Sequence, residues 1–130
     1  MRQAGVIAAA GIVALDTMMD QLRLDHEHSH KIAKAIHNTH SKLFKVDLQT
    51  AETNILMIYL DNTKVSANDF LRRLYDVHPS DPVKVKIRAS TRDSGCVRFV
   101  FYWEITDVDV EMAIKKLECV IAEFETKTNV

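Results

Sequence analysis

The sequence predicts an α+β domain with a mainly antiparallel sheet and helices packed on one face. Three observations carry that reading. The first 38 residues space their apolar side chains as helices do, and the middle of the chain breaks into short runs rich in β-branched and aromatic residues. The stretch Arg92-Asp93-Ser94-Gly95 has the composition of a tight turn between two such runs. A length of 130 residues suits one domain, and 47% hydrophobic with 27% charged residues can form a core.

From about Gln3 to Asn38 the apolar or small positions are Val6, Ala10, Val13, Leu15, Met18, Met19, Leu22, Ser29, Ile32, Ala33 and Ile36, the spacing of one helical face. Thr17 with Asp20 imitates a capping box, so two consecutive helices with a break near Asp16 and Thr17 are expected. Arg2 followed by Val6 to Leu15 also imitates a secretory leader, although no small-residue cleavage site follows Leu15. Asp16 and Asp20 end the apolar run short of the roughly 20 residues a bilayer requires.

The second helix holds His26, His28, His30, His37 and His40, and the pairs 26/30 and 37/40 have a spacing that could share a metal ion. No ligand pattern such as His-Glu-x-x-His accompanies them, and a solvated polar face accounts for the cluster, so no metal site is assigned. Leu43 to Leu48 and Asn54 to Leu60 read as strands. Thr53 and Asn54 before the second have the side chains that bond nearby backbone at strand ends.

Ser66 with Asp69 opens a third helix whose apolar face is Phe70, Leu71, Leu74 and Val77, ended by Pro79 and Pro82. Val83, Val85 and Ile87 alternate with Lys84, Lys86 and Arg88, as in an edge strand with one wet face. Cys96 to Trp103 returns as its hairpin partner, with Val97, Phe99, Phe101 and Trp103 on one face and Arg98, Val100 and Tyr102 on the other. Thr106 with Asp109 caps a last helix with the stripe Val110, Ala113, Ile114, Leu117, Val120, Ile121 and Phe124, and the tail from Glu125 is expected to fray.

A net charge of -1, from 17 basic and 18 acidic residues, argues against nucleic-acid or anionic-membrane partners. Two cysteines, Cys96 and Cys119, are too few and too far apart for a disulfide framework or a metal pair, which points to a reducing compartment. The chain has no GxSxG, no HExxH and no Gly-rich phosphate loop, so these residues alone offer no catalytic pair.

Residues 1–16, MRQAGVIAAAGIVALD, resemble the stretch after a glycine run in the pyridoxal-phosphate-dependent threonine aldolases of the aromatic amino acid beta-eliminating lyase family. Asp25-His26, Thr53-Asn54 before an apolar strand, and VRFVFYWEITDVDVEMA at 97–113 are similar to later stretches of that family, with Phe101 and Tyr102 in place of its Thr and His. The resemblance implies the C-terminal small domain of a fold-type I enzyme. Residues 1–40 would form the junction and first helices, 41–124 the small domain and 125–130 a tail. The large cofactor-binding domain, with its Schiff-base lysine, would lie upstream, so no lysine here is given that role and no catalytic residue is expected within the chain.

On this resemblance Arg98 would hold the substrate α-carboxylate, the alternative being a strand arginine paired with an acid across the sheet. Arg2 and Gln3 would stand at the active-site rim near cofactor or substrate charge, the alternative being a helix-start arginine that touches nothing. The implied reaction is cleavage of L-threonine or L-allo-threonine to glycine and acetaldehyde with pyridoxal phosphate. The implied partners are the amino-acid substrate and further copies of the protein met through the N-terminal helix. The location would be cytoplasmic, or mitochondrial if a targeting segment lies upstream. Two other readings stay open: a non-catalytic module that pairs with full-length subunits, and a small secreted binding domain.

Overall fold

The computed structural model describes residues 2–128; Met1, at the head of the junction segment, and Asn129 and Val130, in the expected tail, lie outside the described residues. Helix α1 (Ala4–Thr17) follows Gln3, whose φ of 67° puts the turn before it in the left-handed region. Its alanines favour helix, yet none of its residues is buried. The chain breaks at Met18 and continues as α2 (Met19–Asn38), bent by 67° from α1. The break is where the spacing placed it, but no capping box makes it: the Thr17 hydroxyl turns back to donate to the Val13 carbonyl at 2.7 Å. No single helix among the described residues is long and apolar enough to cross a membrane.

The buried face of α2 is Asp25, His28, Ser29, Ile32, Ala33 and Ile36. The expected stripe therefore covers the core only in its second half, and Leu15, Met19 and Leu22 are exposed. Beyond His40, at φ 51°, a turn leads into the short β1 (Phe44–Lys45). The Glu125 carboxylate holds this turn, accepting from the Ser41 hydroxyl and from the Lys42 and Leu43 N–H groups at 2.9 and 3.2 Å.

Strand β2 (Ile55–Leu60) buries Leu56, Ile58 and Leu60. The Ser66 hydroxyl accepts from the Asp69 N–H to open α3 (Ala67–Tyr75), as its sequence predicts, and Ala67, Phe70, Arg73 and Leu74 face inward. The helix stops at Tyr75, so Val77 is exposed beyond its end and not on its apolar face.

Residues 83–88 correct a second expectation. They keep the alternation, with Val83, Val85 and Ile87 half-buried, but enter no ladder. The Lys84 ammonium donates to the carbonyls of His78, Pro79 and Asp81, and the Ile87 N–H goes to the Leu74 carbonyl at 3.0 Å, so the segment is bound to the end of α3. The hairpin is β3 (Ser90–Asp93) with β4 (Cys96–Val100), irregular between Thr91 and Asp93. A cavity of about 220 Å³, lined by Val85, Ile87, Phe99, Phe101 and Val110 among others, lies where the longer hairpin would have closed.

The sheet order is β1-β2-β4-β3, each pair antiparallel. Helix α4 (Asp107–Thr128) is capped by Thr106, whose N–H and hydroxyl donate to the Asp109 carboxylate at 2.9 and 2.6 Å. It stays helical through Thr128, against the expected fraying, because Glu125 is tied to the turn at 41–43. One core joins α2, α3, α4 and the inner face of the sheet, and the half-buried Phe124 packs onto it in contact with the buried Phe44 and Phe70. The α+β class, the antiparallel sheet and its single covered face agree with the sequence.

Candidate functional site

Alternation on β4 sends Val97 and Phe99 into the core and Arg98 and Val100 to the opposite face. That face is open: Ile55, Tyr59 and Val100 are exposed. The residues directly across from Arg98 are Met57 on β2 and Ser90 on β3. Neither is acidic, and the Arg98 side chain makes no hydrogen bond or ion pair among the described residues. A cross-strand acid, the other expectation for this arginine, is therefore absent from its neighbours. What remains is a guanidinium with five free donors on a rigid strand, the arrangement that takes a carboxylate in a two-bonded fork.

Arg2 and Gln3 are exposed at the head of α1, and no side-chain hydrogen bond or ion pair among the described residues joins them to Arg98. Asn54 stitches the sheet: its Nδ2 donates to the Phe101 carbonyl and its own carbonyl accepts from the Phe101 N–H, both at 2.8 Å. Thr53 bonds the backbone of Ile55. Both residues are thus accounted for by backbone chemistry.

The histidines divide. His26, His37 and His40 are exposed, as a solvated face requires, and the rings of His37 and His40 stand 6.4 Å apart. His28 corrects that reading: it is buried, with Nε2 3.4 Å from the Asp107 carboxylate.

Sequence reasoning missed a buried charge cluster. Arg73 of α3 pairs with Asp81 and with Glu123 of α4, and the fully buried Lys116 pairs with Asp81. Lys116 also donates to the Asp76 carbonyl at 2.6 Å, and the His78 N–H donates to Asp81 at 2.9 Å. The Arg73 guanidinium beside it, followed by Lys116, holds the Asp81 carboxyl well below the usual carboxylate range, and Arg73 likewise lowers Glu123. The ligand atoms of Asp81, Cys119 and Glu123 lie within 4.8 Å of one another. Arg73 bridges the two carboxylates and Lys116 takes up Asp81 from a second side, so the group reads as an ion-pair cluster and not a metal centre. The signal available in the sequence was weak: Arg73 lies between Phe70 and Leu74, and Lys116 beside Leu117, at the edge of an apolar stripe.

Comparison with known proteins bears on what this frame belongs to. Residues 1–63, which include α1, α2, β1 and β2, match the sequence model of the beta-eliminating lyase family. A protein of Arabidopsis thaliana named probable low-specificity L-threonine aldolase 2 is 31% identical over 119 residues, covering 91% of this chain and 31% of that protein. The chain is similar to that threonine aldolase over most of its own length. An uncharacterized protein of Caenorhabditis elegans is 29% identical over 119 residues, 88% of this chain and 26% of that one. The chain thus spans less than a third of the length of the curated relatives it matches. Arg98 lies beyond the family match, but a span of 91% of the chain has to include it. The threonine aldolase-like part of the chain therefore extends over the sheet that carries the candidate site.

Proposed function

We propose that this chain is the small domain, with its junction helices at 1–40, of a fold-type I, pyridoxal-phosphate-dependent threonine aldolase that cleaves L-threonine or L-allo-threonine to glycine and acetaldehyde. The observation that carries the proposal is the unpaired Arg98 on the open face of the sheet. The likeness to a threonine aldolase over 91% of the chain and to beta-eliminating lyases over residues 1–63 supports the lyase class.

The cofactor, when bound, supplies an electron sink for the α-carbon. The residues here do not fit its anchoring: Lys116, the fully buried lysine, is held by Asp81 and by the Asp76 carbonyl and is not free to form an imine. Anchoring would come from residues beyond this chain, with Arg2 and Gln3 available to a phosphate at the rim. This chain's part is to bind and orient. Arg98 would grip the α-carboxylate by two parallel hydrogen bonds, and so fix which bond at the α-carbon is presented for cleavage.

The test is Arg98→Ala and Arg98→Lys in the cofactor-loaded protein. Losing a charge-assisted pair should raise KM for threonine by about 10- to 100-fold, with Lys recovering only part because it lacks the fork. An unchanged KM would end the carboxylate reading.

A second reading has its own observation. On α1, Val6, Ile7, Ile12, Val13 and Leu15 are all at least 60% exposed, and a Cβ added at Gly5 or Gly11 would meet nothing within 4 Å. A helix-interior glycine such as Gly11 costs about 1 kcal/mol relative to alanine, and no described residue packs against either glycine. They suit close approach by another backbone, and we take the occupant to be a further copy of the protein, so that α1 is the contact of a homo-oligomer. A non-catalytic module pairing with full-length subunits would use the same helix. Cofactor absorbance in the purified protein separates the two, since only the aldolase binds it. A cytoplasmic location goes with either reading and is tested by cell fractionation.

A further inference from the structure

We infer that Ser90 is a second carboxylate-positioning residue beside Arg98, an inference that rests on the carboxylate reading of Arg98. In an antiparallel pair, residues directly opposite point to the same face with Cβ atoms about 4.5–5.5 Å apart. The register sets Ser90 opposite Arg98, so its hydroxyl shares the open face with the guanidinium. Of the two residues directly opposite Arg98, Met57 offers only a thioether, and Ser90 offers an oxygen that can donate. The Ser90 hydroxyl makes no hydrogen bond among the described residues, and the residue is only half-buried.

The backbone adds a reason for the position. The β3–β4 ladder ends at the Ser90–Arg98 pair, and the chain before Ala89 is bound instead to the end of α3. A ligand can therefore reach this pair from beside Val100, which is exposed. A guanidinium fork uses one lone pair on each carboxylate oxygen. The hydroxyl donates to a remaining one and fixes the tilt of the carboxylate, and with it the direction of the bonds at the α-carbon.

The experiment is a titration of the protein with glycine, followed by NMR on the Arg98 Nε–Hε resonance, for the unaltered chain and for Ser90→Ala, Ser90→Thr and Arg98→Ala, with affinity for the last taken from backbone amides. Glycinamide, whose carboxylate is replaced, is the control. Ser90→Ala should weaken glycine about tenfold, as loss of a hydrogen bond to a charged group does, and Ser90→Thr should restore it. Glycinamide should bind all forms alike. If Ser90→Ala leaves glycine affinity intact while Arg98→Ala removes it, the inference falls and the arginine reading stands. If Ser90→Ala weakens glycine and glycinamide equally, the serine acts on the strand and the inference falls. If Arg98→Ala changes nothing, both fall.

Discussion

Two arginines of this chain show how a neighbour decides what a residue is. Arg98 lies on a strand face with no acid opposite and its guanidinium has no partner among the described residues, whereas Arg73 is buried between Asp81 and Glu123 and serves the fold. The Arg73 cluster makes a strong prediction at this scale. Asp81→Asn would leave Lys116 buried without its counter-charge, and breaking one partner of a buried pair costs about 3–5 kcal/mol. Urea unfolding should show a loss of that size, and a loss below about 1 kcal/mol would mean that water reaches the cluster. The cluster also sets an acid limit. Asp81 and Glu123 have folded-state values lowered by Arg73, so their contribution is fully present above the unfolded carboxylate range near ~4 and is lost as pH falls through the lowered values. Stability measured down the acid limb should therefore decline below about pH 4, and less steeply in Asp81→Asn.

Among the elements, two of the three predicted caps were legible because they are local, while Thr17 with Asp20 makes none. Thr106 with Asp109 forms in both directions, and Ser66 accepts from the Asp69 N–H while the Asp69 carboxylate pairs with Arg72, since each needs only a few successive residues. Thr106→Ala should cost about 1 kcal/mol, read as a lowered thermal midpoint; no change would mean that packing of α4 alone sets its start. The segment 83–88 shows the opposite case. Its alternation is right and its pairing is not, because alternation reports only which side is wet, and the Lys84 ammonium bound to three carbonyls holds the segment to the turn after α3. Helix α1 is the element whose faces remain bare. Ile7→Lys lies on an exposed position, so its folding free energy should change by less than about 0.5 kcal/mol, while self-association measured by sedimentation should fall sharply. An unaltered oligomer would show that another surface holds the copies together.

At the scale of the whole molecule, the sheet is covered on one side and open on the other, and the open side carries the candidate site. The exposed apolar surface of α1 is large for a monomer, so the chain alone should associate in solution, and a single monomeric species at all concentrations would count against the oligomer reading. Periodicity and turn chemistry determined the α+β class, the four helices, the turn before β4 and the side of β4 on which Arg98 stands, because each follows from residues near one another in sequence, whereas the partner of β4 is Ser90–Asp93 and not the expected 83–88. Family likeness, carried by MRQAG and by the stretch around Arg98, pointed to the chemistry. Only the tertiary structure decided that Met57 and Ser90, and no acid, face Arg98, that Lys116 is buried against Asp81, that His28 is inside, and that the end of α4 is held by the turn at 41–43. Those are encounters between residues 8 to 84 positions apart, and no local pattern states which distant side chain will fill the space opposite.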